Sequence, residues 1–408
     1  MIIFFLGRND NMANISYSIE CKVLMDKKEP IILDNMINKF EIINEYDNAV
    51  FPMIRLYTKL DFDSYYDIQS SSNVKFSLTI KKYEQRLLAN NSRTVYSYFI
   101  KNKIFTPIDR NKNLINKPES SNDNISNEEL PILSNSFILI GEDELKNNKK
   151  LINTVGSETD MYSMISYISK YFSDRDLIIE YPENNKIYDQ IIIPPLNPIL
   201  AIKYLNEVYG IYSSGIRVFF DINRYYITNK HLIKDKEILK EYSENVFINI
   251  FSDDNDSSEL IEVERDQDGT FNVNSHISSL RVISYEDSRK EFLGTENLII
   301  SQSDNKLNKN FYGDDKYRTK VYYHKYQNEL KEKELTNKLN EDFYIVLTVD
   351  GLDINSINPI NNFLLKFYND NYKEYDGNYS LMKAVSSLNF GSNGQGGVQM
   401  NLYLKRKA

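Results

Sequence analysis

Metal, nucleophilic and acid–base chemistry each need particular side chains at close spacing, and the chain is sparing with them. It holds three histidines, His231, His276 and His324, and no two share a helical face or a metal-ligand spacing. Cys21 is the one cysteine, so a zinc site built from the usual ligands is not expected. Cys21 sits in the alternating run from Ile15 to Val23, the setting of a small buried hydrophobe rather than a nucleophile. A serine nucleophile needs a histidine base and an orienting acid, and the Gly-x-Ser-x-Gly elbow is absent. Asp253-Asp254-Asn255-Asp256-Ser257-Ser258-Glu259 has the oxygen-rich look of a calcium loop. Counted from Asp254, however, the sixth position is Glu259 rather than glycine and the twelfth is Arg265 rather than glutamate. It reads as a solvated turn. Gly391, Gly394, Gly396 and Gly397 lack the Lys-Ser/Thr of a phosphate loop and lead into a strand pattern, so they read as a strand connection. Among 58 acidic residues, no pair stands in an apolar setting that would split the roles of a glycosidase. The expectation is a protein that is not an enzyme, with no catalytic, cofactor-binding or metal-ligating residues and no cofactor.

Composition narrows the class. The chain has 408 residues, 41% hydrophobic and 26% charged, which allows a folded core of two to four domains. Tyr (31) and Phe (21) are abundant and Trp is absent; tyrosine and isoleucine suit a pleated, half-buried surface. A net charge of −9 argues against specific nucleic-acid binding, which needs a basic surplus to displace counterions. An acidic wall still lets DNA slide past. A lone cysteine forms no internal disulfide, which fits assembly in a reducing cytoplasm. The apolar start, Met1 to Leu6, lacks a basic flank and a cleavage site. Met12 reads as a second possible start. No stretch approaches the roughly 18 apolar residues of a membrane span, so no membrane segment is expected.

The elements that would carry any function are mostly strands. Period-two alternation marks Ile15–Val23, Phe40–Tyr46, Ile54–Leu60, Val74–Tyr83 and Tyr96–Ile104, with Asp61–Ser70 as a short helix. Residues 109–131 turn polar and proline-containing, as a linker does. Asp160–Phe172 has helical spacing, with Ser157 or Thr159 as its cap. Pro194 and Pro195 are expected to end any regular element at Ile191–Leu196. Pro198–Tyr209 reads as an amphipathic helix closed by Gly210. Further strands are expected at Ile216–Asp221, Tyr225–Thr228, Val246–Phe251, Leu280–Tyr285, Tyr317–Tyr326, Phe343–Val349 and Val398–Lys405, with a short helix at Leu330–Leu339 and a turn at Asp376–Tyr379.

These runs resemble a known family. Phe51–Thr58, Tyr65–Ile68 and Val74–Tyr83 are similar to the first domain of the baseplate hub proteins of long-tailed bacteriophages. Pro194-Pro195-Leu196, Ala201–Asn206 and Gly215–Asp221 are similar to its middle region. Asp376–Tyr379, the glycine-rich loop and Val398–Leu404 are similar to its closing hairpin. The resemblance implies a mainly β fold with α+β insertions: two tail-tube-like β-barrel domains plus smaller mixed α/β domains. Residues 1–108 would form the first barrel and 109–210 a polar linker and mixed insert. Residues 211–330 would begin the second tube-like domain, and 331–408 complete it. It further implies a homotrimer whose six barrels form a ring. The ring would adapt a six-fold tail tube to a three-fold central spike, with a channel for DNA passage. Its partners would be the tail tube protein, the spike and other baseplate proteins, in a virion assembled in the host bacterial cytoplasm. The alternatives are another baseplate or tail-tip component, a tail-associated cell-wall hydrolase, and a cell-surface binding module. Val74–Tyr83 and Val398–Lys405 are expected to be edge strands lining barrels or subunit contacts, with Phe76 and Leu402 on buried faces.

Overall fold

A computed structural model describes residues 14–46, 49–88, 91–110, 133–171, 175–230, 238, 245–251, 263–265, 271–276, 280–284, 343–355, 357–368, 370–390 and 396–407. The expected linker at 109–131 beyond Arg110, the acidic run 253–259, the expected elements at 317–326 and 330–339, residues 391–395, His231 and His324 lie outside them.

The chain opens with β1 (Asn14–Met25), β2 (Ile31–Ile32), β3 (Ile37–Glu45) and β4 (Met53–Leu60). Helix α1 (Phe62–Ser70) follows, begun by Asp61, whose side chain accepts from the Ser64 N–H at 2.7 Å. Then come β5 (Val74–Leu88), β6 (Asn91–Arg110), β7 (Leu133–Gly141), α2 (Glu142–Asn148) and β8 (Ile152–Thr159). Helix α3 (Met161–Ser169) buries Met161, Met164, Ile165 and Ile168. Its cap is neither Ser157 nor Thr159, which lie in β8. Asp160 caps it, accepting from the Ser163 N–H at 2.7 Å.

Strand β9 (Asp176–Ile179) precedes β10 (Tyr188–Leu196), which runs through the prolines expected to break it. The register against β8 slips between Ile193 and Leu196, so Pro194 and Pro195 fall in a bulge where no ladder donor is required. Helix α4 (Pro198–Val208) has Asn197 as cap and stops at Gly210, whose φ of 73° suits glycine. The remaining strands are β11 (Ile216–Phe220), β12 (Arg224–Asn229), β13 (Asn245–Phe251), β14 (Val263–Arg265), β15 (Phe271–His276), β16 (Leu280–Ser284), β17 (Phe343–Asp350), β18 (Asn362–Phe367), β19 (Gly377–Phe390) and β20 (Gly396–Arg406). The turn expected at Asp376–Tyr379 is instead the entry to β19, reached from a 3-10 turn at Asp370–Tyr375.

One large sheet contains most strands, in the order β14-β15-β13-β18-β19-β3-β4-β7-β6-β5-β1-β20-β17-β16, with β19 also paired to β20. The β19–β20 hairpin therefore belongs to two lobes at once. The first runs from β19 through β3, β4, β7, β6, β5 and β1 back to β20, and its pairings are antiparallel. Among the described residues its circuit meets at β1 and β20 through one pair, Tyr17 opposite Gly396, so the barrel is not closed by a continuous ladder. The second lobe has β13, β14, β15 and β18 beyond β19, and β16 and β17 beyond β20. Unlike the first, it contains parallel pairs, β13 with β15 and β13 with β18.

These pairings depart from the sequence reading in two places. Val74–Tyr83 and Val398–Lys405 are not edges: β5 lies between β1 and β6, and β20 between β19 and β17. Residues 216–229, expected to open the second tube-like domain, instead pair with β9 in a separate three-stranded sheet. That sheet is buried on both faces. Phe219 and Tyr226 point into the core of the large sheet, while Val218, Phe220, Tyr225 and Ile227 point into a second core with α3 and α4. A fully buried strand alternates between two apolar partners rather than between oil and water, which explains its nearly continuous hydrophobic run.

Candidate assembly site

Strand β19 changes neighbours partway along its length. Tyr379 pairs with Phe363 of β18, and from Lys383 to Asn389 the strand pairs with β3. The switch coincides with a bulge in the β19–β20 register between Leu381 and Lys383. An extra residue bends and twists a strand, which lets one hairpin serve both lobes of the sheet.

Arg217 of β11 holds this point. Its Nε donates to the Tyr46 carbonyl at 2.7 Å, just past β3, and its Nη2 donates to the Leu381 carbonyl at 2.6 Å, at the bulge. The Tyr46 N–H in turn donates to the Met382 carbonyl at 2.8 Å. The guanidinium sits over the Phe219 ring, 5.0 Å from its centroid, and Phe219 meets Tyr46 edge-on at 6.0 Å. Arg217 is buried. A planar fork with several donors suits two carbonyls from separate strands, which a lysine ammonium does not match. Burial, with the Arg217 charge as the lesser cause, pushes the Lys407 ammonium below its ordinary range. Burial, aided by the Asp221 charge, pushes the Tyr46 phenol upward.

A second polar cluster ties the first lobe to the hairpin. Buried Glu41 of β3 accepts from Lys39 at 2.6 Å, Tyr57 at 3.2 Å, Arg55 at 3.4 Å and Ser387 of β19 at 3.4 Å. A third cluster sits where β1 meets β20. Tyr17 OH donates to Asp353 Oδ1 at 2.9 Å, and Lys82 Nζ reaches Asp353 Oδ2 at 2.5 Å.

Cys21 is fully buried, its N–H donates to Asp34 at 2.7 Å, and burial pushes its thiol upward, with the Asp34 charge adding to it. Phe76 and Leu402 are both fully buried, and Phe76 packs on Phe137 at 5.1 Å between ring centroids. His276 ends β15. Among the described residues no group of three or more His, Cys, Asp or Glu is placed to hold a metal, and no helix is long and apolar enough to cross a membrane. Sequence reasoning missed Arg217, Lys82 and Asp353. The signal for Arg217 was present: a single charge inside the apolar run Ile216-Arg217-Val218-Phe219-Phe220, where only a satisfied cation is tolerated.

Solved structures similar to this chain include a tail protein from Neisseria meningitidis MC58, at 11% identity and a TM-score of 0.44 over 96% of each chain. Another is the 43 kDa tail protein of prophage MuSo2 from Shewanella oneidensis, at 10% identity and a TM-score of 0.44, over 95% of this chain and 98% of that one. A third is the E. coli c3393 protein, a component of the type VI secretion system, at 8% identity and a TM-score of 0.43, over 95% of this chain and 77% of that one. No curated protein sequence matches. The family model of the bacteriophage PBS1 gene 109 protein matches residues 1–407, and the chain belongs to that family.

Proposed function

We propose that the chain is a structural component of a phage tail, the baseplate hub, with no active site of its own. Three copies form a ring that adapts a six-fold tail tube to a three-fold central spike and leaves a channel for DNA. Its partners are the tube protein, the spike and neighbouring baseplate proteins, in a virion assembled in the bacterial cytoplasm.

The observation that carries this reading is the matched pair of lobes. Among the described residues, the shared hairpin has four strands beyond one arm and two beyond the other in the second lobe, and in the first lobe a circuit of six strands, with the short β2 alongside β1, joins its two arms. A chain with two such β lobes supplies six lobes in a trimer, which is how three molecules imitate a hexagon. The lobes differ in pairing direction, so the six-fold character is approximate and the three-fold one strict. In this reading the domains follow the pairing of the described elements rather than the limits expected from sequence: β1 to β7 with part of the hairpin make one lobe, β13 to β18 with the rest of it make the other, and β8 to β12 with α3 and α4 make the mixed α/β insert.

Particle images and sedimentation of the purified chain test the reading. The expected species is a ring of three 47.9 kDa chains with a central hole. A monodisperse monomer at micromolar concentration, with no rings in the images, contradicts it.

A further inference from the structure

The contact between β1 and β20 is where the first lobe departs from a closed barrel. Two antiparallel strands ordinarily zip through successive ladder pairs. Here, among the described residues, Tyr17 and Gly396 are the only partners. Next along β20, the Val398 carbonyl accepts from Gly351 at 2.9 Å rather than from β1. Gly351, with φ of 79°, turns the chain out of β17 and into this gap.

The segment that follows, residues 351–355 and 357–361, takes part in no ladder among the described residues, yet Leu352, Asp353, Ile354, Ile357, Asn358, Ile360 and Asn361 are buried. Its isoleucines and Leu352 join the main core. Its polar anchor is Asp353. One carboxylate oxygen accepts from Tyr17 OH of β1 at 2.9 Å and from its own Asn355 N–H at 3.0 Å. The other meets Lys82 Nζ of β5 at 2.5 Å, and Lys82 lies directly opposite Tyr17 in the β1–β5 ladder. The Ile354 N–H closes the set by donating to Tyr17 OH at 3.2 Å. All three side chains are buried.

We propose that residues 351–355 are a strap that holds β1 against β20, doing with one carboxylate what a ladder does elsewhere. Releasing Asp353 lets the two strands part at this seam while the rest of both lobes stays paired. The first lobe is then a latched barrel whose curvature adjusts at one defined line. Charge-assisted bonds to a buried carboxylate are strong where water is excluded, so the latch holds until a partner group is lost. Subglobal opening of this kind exposes amides locally and leaves the remainder protected.

Hydrogen exchange read by mass spectrometry on the full chain tests the strap. The variants are Asp353→Asn, Lys82→Met and Tyr17→Phe, the last of which keeps the ring and removes only the hydroxyl. Peptides covering 14–18 and 396–400 are expected to exchange at least about tenfold faster than in the wild type, the scale of one lost charge-assisted bond. Peptides from β4 and β7 are expected to keep their protection. If Asp353→Asn does not fold, Tyr17→Phe decides alone. Unchanged exchange at the seam in Tyr17→Phe overturns the proposal. So does an equal acceleration in every peptide, which marks an ordinary core contact.

Discussion

Leu402 faces Leu347 of β17 on one side and Ala384 of β19 on the other, with no solvent exposure. A carboxylate there finds no water and no partner. Leu402→Asp is expected to lower stability by roughly 4 kcal/mol or more, the range reserved for unpaired buried charge; Phe76→Asp behaves likewise. The urea midpoint of the soluble fraction checks this, and a mutant with the wild-type midpoint would show that the facing of these strands is misassigned. Cys21 makes a milder test at the same scale. Burial raises its thiol, so an aromatic disulfide reagent is expected to leave it unmodified in the native chain and to titrate it fully in denaturant. Tyr379 sets an alkaline limit. Burial raises its phenol from 10.0 to about 12, against the nearby Arg406 charge, which lowers it. The folded state holds this proton more tightly than the unfolded chain does. The stability it lends is therefore complete below pH 10 and is lost as pH rises toward about 12. Tyr379→Phe is expected to flatten that part of the stability–pH curve, measured by denaturant midpoints across the range.

At the scale of elements, the joint at Arg217 can be tested by removing its donors. Arg217→Leu leaves two buried carbonyls without that donor, a cost of roughly 2–4 kcal/mol, and Arg217→Lys is expected to recover only part of it because an ammonium cannot present the same fork. Thermal melting of the three proteins gives the order, and a lysine variant as stable as the wild type would show that charge alone suffices. Much of this level was legible in the residues. Val74–Tyr83 and Val398–Lys405 showed their strand character because one face of each is apolar, and α4 announced itself through Asn197, Pro198 and Gly210. Other features were not. The prolines of β10 survive because the strand has a bulge and, among the described residues, β8 as its partner, and a bulge depends on what lies opposite. Of the parallel neighbours of β13, β18 comes from residues more than a hundred positions along the chain, which local pattern does not encode. The role of Arg217 depends on β11 being buried on both faces, which its neighbours in space decide.

For the whole molecule, the main core runs through residues of both lobes, from Tyr17 and Phe76 to Phe363 and Leu404. The lobes also share β19 and β20. Heat is therefore expected to unfold them together. Calorimetry should give one transition for the two lobes, with van't Hoff and calorimetric enthalpies in agreement; two resolved lobe transitions would mean that the hairpin does not couple them. The assignment of residues to lobes was the least legible feature of all, because a long hairpin that serves two lobes looks in sequence like the end of one.

The late position of that hairpin has a consequence during synthesis. Strand β3 is made early, and the strand that covers its outer side, β19, begins at Gly377. At about 5–20 residues per second, the ribosome leaves that side bare for on the order of tens of seconds. A bare strand invites pairing with whatever is near, including the same strand on an adjacent nascent chain. The hazard of misjoined copies is thus set by translation speed, and slowing elongation between residues 45 and 377 should worsen the soluble yield.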